Sequence, residues 1–139
     1  MSDSKIEHQW PEDYPTGLPE NQDVVPAYGQ VCRLVNECPP TCDDFKRHRD
    51  EEHDYTYNTT KKRMLSYGVS FWTSIEAVKN IKAKYPADNQ FGLKKIVIGT
   101  LIPELGVVTR NISTDGHVTL WKQVGAEPHP HFTVEVNEQ

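Results

Sequence analysis

The sequence predicts an α+β domain built on an antiparallel sheet, and three observations carry that prediction. The last third of the chain is a series of short apolar runs joined by turns of a few residues. Such turns make antiparallel neighbours, because a parallel return needs a dozen or more residues. Residues 73–85 alone show a clear helical period of apolar side chains. The 139 residues are 36% hydrophobic and 25% charged, which supplies one modest core and too little length for two domains. No run approaches the ~20 apolar residues of a membrane helix. The opening decapeptide lacks the apolar centre of a signal peptide, and three cysteines are too few for a disulfide framework. The expectation is a cytoplasmic protein with no membrane contact.

Residues 1–26 read as an acidic, proline-containing arm. Asp3, Glu7, Glu12, Asp13, Glu20 and Asp23 stand against Lys5 alone, so the arm holds the whole net charge of −5. With Pro11, Pro15, Pro19 and Pro26 and no apolar period, it is expected to be flexible or loosely docked, with Trp10 and Tyr14 as its only anchors. The single α+β domain is then residues 27–139. A strand is expected over 27–36. Thr41 precedes Asp43 and Asp44 as an N-cap, which predicts a charged surface helix over about 42–53 with Phe45 its one large apolar residue. Residues 54–65 read as a polar loop. A strand at 66–72 leads into the second helix, where Thr73 and Glu76 match a capping box and Pro86 ends the helix. Runs at 96–102, 107–112, 117–124 and 131–136 are expected to form a four-stranded C-terminal meander, with turns at PELG and STDG.

The candidate sites follow from this register. Val118, Leu120 and Val124 face the core with Phe132, Val134 and Val136, so the opposite face carries Thr119, Trp121, Gln123, Thr133 and Glu135. A tryptophan on a polar strand face suggests an interaction surface. The first functional expectation is therefore a small binding protein, using that face and the acidic arm toward a protein or small-molecule ligand, with no cofactor. Two H-x-T triplets, at His117 and His131, would sit at opposite ends of the expected hairpin, roughly 25 Å apart, too far to share one phosphate. Cys38, Cys42, His48 and His53 have the residue types of a zinc site. However, His48 and His53 would point about 140° apart on a helix, so no metal is expected. Lys61, Lys62 and Arg63 near Tyr55, Tyr57 and Tyr67 form a basic and aromatic stretch. The body is charge-balanced, which argues against a nucleic-acid partner.

The order of Arg33 on an early strand, GVSFWTS running into a helix, and then IVIGTLIPELGVVT resembles the ADP-ribosyltransferase fold over residues 27–109. The resemblance implies that Arg33 holds the phosphates of NAD or another nucleotide, and that Ser70, with Thr73 or Ser74, supports the site. The family's late Q-x-E or E-x-E motif has no counterpart. Glu135 is the late carboxylate that would complete an Arg33–Ser70–Glu135 set. Whether the chain is an enzyme is left open at this point. Convergence of those three residues in one cleft favours the enzyme, and scattering favours the interaction protein.

Overall fold

A computed structural model describes residues 8–51 and 56–136. In chain order it contains β1 (Val24–Pro26), β2 (Gly29–Val35), a 3-10 turn (Cys42–Phe45), α1 (His48–Glu51), α2 (Thr60–Leu65), β3 (Val69–Trp72), α3 (Ile75–Lys84) and β4 (Lys95–Leu101). A 3-10 turn (Pro103–Leu105), β5 (Gly106–Thr109), β6 (His117–Lys122), a third 3-10 turn (His129–His131) and β7 (Val134–Glu135) follow. All seven strands join one sheet in the order β1-β5-β6-β3-β2-β4-β7, and every pairing is antiparallel. The chain is therefore mixed α+β, as its periodicities predict.

The expected meander does not form. Of the four C-terminal strands β5 pairs with β6 and β4 with β7, but β4 does not meet β5 and β6 does not meet β7. β4 pairs with β2 over seven residues, and β7 reaches the far side of β4, with three strands between it and β6. The apolar β4 run needs cover on both faces, which a position inside the sheet provides and an edge does not. Phe132 is drawn over β4 at Gly99, where a Cβ would lie 2.2 Å from the His131 carbonyl and 2.7 Å from the Phe132 ring. That close approach carries the last segment across the sheet. It leaves β7 on the edge, paired through Val97–Glu135 and Ile98–Val134.

Alternation along the strands sets the two faces. One face packs Val31, Val35, Val69, Phe71, Val97, Val118 and Leu120 beneath Phe45, Leu105 and Phe132. The charged helix expected over 42–53 is broken, because Phe45 leaves the surface to join this core. Its ring lies 5.2 Å from that of Phe132 and 6.1 Å from that of Phe71. Asp44 is buried beside it and accepts from the amides of Asn36 (2.7 Å) and Thr41 (3.1 Å). The segment expected as a loop forms α2, with Thr59 as N-cap accepting from the Lys62 amide at 3.1 Å. The helical stripe of residues 73–85 is formed as α3, but its cap is Ser74, which accepts from Ala77 N at 3.0 Å. Thr73 instead donates to the Gly116 carbonyl.

The second face is covered in two separate pieces. α3 places Val78 over Cys32, Leu34, Trp72 and Ile96. The described part of the arm, from residue 8 on, is docked and packs Tyr14 and Leu18 against Val107, Trp121 and Met64. Tyr14 donates to the Tyr67 and Lys122 carbonyls, both at 3.2 Å, and β1 adds an edge strand to β5. Pro26 is accommodated there because an edge position needs no second set of ladder bonds. Trp121 is consequently 0% exposed, and its indole N–H donates to the Met64 carbonyl at 3.1 Å. The solvent-facing tryptophan expected from register alone is a core residue, because the arm and α2 close over it.

Truncation at this site measures the docking. Trp121→Ala is expected to lower the unfolding free energy by about 3–5 kcal/mol, as loss of a buried large aromatic does. Deleting residues 1–22 is expected to lower the thermal midpoint by more than ~8 °C. A midpoint unchanged by the deletion contradicts a packed arm.

Candidate functional site

The sheet is nearly split between β2 and β3. These strands share one bridging pair, Cys32–Trp72, whereas β3 and β6 share four. Past that bridge the strands part, and the Arg33 side chain occupies the gap. Its Nε donates to the Asp44 carbonyl at 2.8 Å and its Nη1 to the Ser70 carbonyl at 2.7 Å. Its Nη2 lies 3.6 Å from Glu51, and the guanidinium packs over the Phe45 and Phe71 rings. Arg33 is 5% exposed. A planar fork with five N–H donors can bridge two carbonyls and a carboxylate at once, which a lysine cannot.

The segment after Asp44 is held against the turn between α2 and β3 by His48 N to Gly68 O (3.1 Å) and Arg49 N to Ser66 O (3.1 Å). Gly68 itself lies tight against β6, since a Cβ there would lie 2.3 Å from the Thr119 methyl. Between the α3 cover and the arm, the second face therefore retains a cavity of about 270 Å³. Its lining includes His48, Tyr57, Lys62, Ser70, His117 and Thr119. Ser70 and Thr119 are paired across β3 and β6 and share this face. His48 Nδ1 lies 2.9 Å from the Tyr57 hydroxyl. The His117 ring meets Trp72 edge to face at 5.4 Å. The Trp72 indole N–H is buried and has no acceptor among the described residues. Burial pushes the His117 pKa below that of a free histidine. The charges of Arg33 and His48 act in the same direction, and Asp115 opposes them. No carboxylate is among the described lining residues, so the cavity offers cations, hydroxyls and an aromatic ring.

The sequence-derived sites fare unevenly. Arg33 and Ser70 meet across the split, but through the Ser70 backbone. The Ser70 hydroxyl belongs to the face opposite Phe71, over which the guanidinium lies. Glu135 is exposed on β7, in register with Arg33 but two strands over, about 10 Å between backbones. The three therefore do not converge. Thr119 is buried and lines the cavity, whereas Gln123 ties down the arm, accepting from Gln9 N (3.1 Å) and donating to Glu104 O (2.6 Å). Thr133 and Glu135 lie beyond β4, so the five residues expected on one face, Trp121 among them, do not form one. Thr73 and Ser74 serve the Gly116 turn and the α3 cap. Cys32 is buried, Cys38 half-buried and Cys42 exposed, all as free thiols, and His53 lies outside the described residues. Among the described residues no three metal-ligating side chains converge.

The chain matches no protein-family model, no curated protein and no solved structure. Its site must be judged on geometry. Sequence reasoning missed Tyr57 and Lys62 as site residues and weighed His48 only as a zinc ligand. The one available signal was the cluster of Lys61–Arg63 with tyrosines, which reads equally as a solvated loop.

Two measurements check this geometry. Arg33→Lys is expected to cost roughly 2–4 kcal/mol in urea unfolding, because a lysine leaves at least one buried carbonyl without its charged donor. The fold favours neutral His117, so the unfolded chain binds more protons below its ordinary pKa of 6.5. Stability should therefore fall as pH drops from about 7 to 5. His117→Gln should flatten part of that slope, measured as urea midpoints at both pH values.

Proposed function

We propose that the protein binds a phosphate-bearing nucleotide in the cavity beside the split. The observation that carries this reading is the convergence of Lys62, His48 and His117 with the hydroxyls of Ser70 and Thr119 on one small cavity free of described carboxylates. Ammonium, imidazole and hydroxyl donors complement phosphate oxygens, and charge-assisted bonds are the stronger kind. Tyr57 and Leu65 supply the apolar and aromatic wall that a base requires. The volume lies near the lower bound of ~300–1,000 Å³ typical of small-molecule sites, which suits one nucleotide. The buried charge of Arg33 is close enough to bear on His117 and adds to the local positive field.

The resemblance to ADP-ribosyltransferases supports the reading in one respect: Ser70, which it implies as a site residue, lines the cavity. The residue set it implies for NAD does not fit. The Arg33 guanidinium is buried against Asp44, Ser70 and Glu51 and does not line the cavity, so it is not placed to hold dinucleotide phosphates there. The reading as an interaction protein rested on an exposed Trp121 and a free arm. With both packed into the body, it retains only exposed Thr133 and, on β7, exposed Glu135.

Thermal-shift measurements with AMP, NAD and inorganic phosphate test the proposal. AMP is expected to raise the midpoint, and Lys62→Ala to weaken AMP roughly tenfold, about 1.4 kcal/mol. A midpoint unmoved by every nucleotide overturns the reading.

A further inference from the structure

We propose that His48 and His117 form a general acid–base pair, and that the cavity hydrolyses the cyclic phosphodiester of a single ribonucleotide. The proposal rests on the nucleotide reading above. Two imidazoles from separate elements, α1 and β6, line one cavity, so a bound phosphate would meet both. Each ring is held. His48 is tied through Nδ1 to the Tyr57 hydroxyl at 2.9 Å, and His117 is braced edge to face on buried Trp72. Acid–base catalysis needs this arrangement of two fixed, separately placed proton carriers.

The roles follow from the surroundings. Burial and the charges of Arg33 and His48 favour neutral His117 against the opposing Asp115, which makes His117 the base. His48 is then the acid. The charge also selects the substrate. A phosphodiester carries one negative charge, which Lys62 balances, and it presents a ribose oxygen as the leaving group that a protonated His48 can serve. A diester contained within one nucleotide is a cyclic one, matching a cavity of about 270 Å³.

In the step itself a water oxygen attacks phosphorus and its proton passes to His117. The bond from phosphorus to one ribose oxygen breaks, and His48 delivers its proton to that oxygen. The product is a nucleoside monophosphate. The histidines end with exchanged protonation states and return to the start through solvent. No oxidant or further reactant is consumed.

The test incubates the full chain with 2′,3′-cyclic AMP and with 3′,5′-cyclic AMP, following the monophosphate by phosphorus NMR. Turnover of one substrate with a bell-shaped pH profile is expected. His48→Gln and His117→Gln should each lower kcat by roughly 10²–10⁴-fold, with a cooperative thermal transition of each ligand-free variant as proof of folding. Tyr57→Phe, which removes only a hydroxyl, should lower kcat and move the alkaline limb of the profile, which reports the general acid. If AMP shifts the midpoint but neither cyclic nucleotide is cleaved, the acid–base pair is refuted and the binding reading stands. If no nucleotide shifts the midpoint and none is cleaved, both fall. Cleavage unaffected by either histidine variant also refutes the pair.

Discussion

A guanidinium lodged in an interrupted sheet is the constraint on which the rest of this structure depends. Where β2 and β3 part, the exposed carbonyl of Ser70 needs a donor, and the Arg33 charge needs acceptors. A buried cation is tolerated only when paired and hydrogen-bonded. Asp44, Ser70 and Glu51 meet that need together. The cost of desolvating the charge therefore specifies the path of residues 36–51. The segment must pass Asp44 over Arg33, drop Phe45 into the core, and return along the turn between α2 and β3 through His48 and Arg49. A sheet with continuous β2–β3 pairing would have no place for this segment and no wall for the cavity.

The second face of the sheet is completed by two elements that do not meet. α3 covers the β2 and β4 side, and the N-terminal arm covers the β5 and β6 side. Each buries a tryptophan, Trp72 under one and Trp121 under the other. The uncovered strip between them runs over Ser70, His117 and Thr119. The cavity thus exists because two separate hydrophobic covers stop short of each other, and α2 with the His48 segment closes its sides. Its polarity has the same origin. Polar side chains survive on a sheet face only where no apolar element packs on them.

Charge is distributed in keeping with an anionic ligand, although the protein is acidic as a whole. The excess acid lies in residues 1–26, while the cavity is bounded by Lys62, two histidines and the nearby Arg33. Net charge therefore says little about this site. A local field a few ångströms across is set by which charges are desolvated together, and long-range charges in water are screened within about 10 Å.

Local features were legible in the sequence because their causes are local. The runs that became β2 and β4 and the stripe of α3 follow from side-chain period alone, and Pro86 sits just beyond the helix end in both accounts. The α+β antiparallel class followed from short connections. Strand order was not legible, because β4 had two possible neighbours of equal apolarity, and only its fit beside β2, with Phe132 seated over Gly99, distinguishes them. Phe45 and Trp121 were misjudged for one reason. Each stands among polar neighbours, and what covers it comes from a distant segment. Of the candidate site, Ser70 and Thr119 were singled out, but as members of different sets. Sequence by itself determined the period of each segment and the placement of its charges. Only the tertiary structure decided which polar side chains face one another, because that depends on where the sheet splits and where its two covers end.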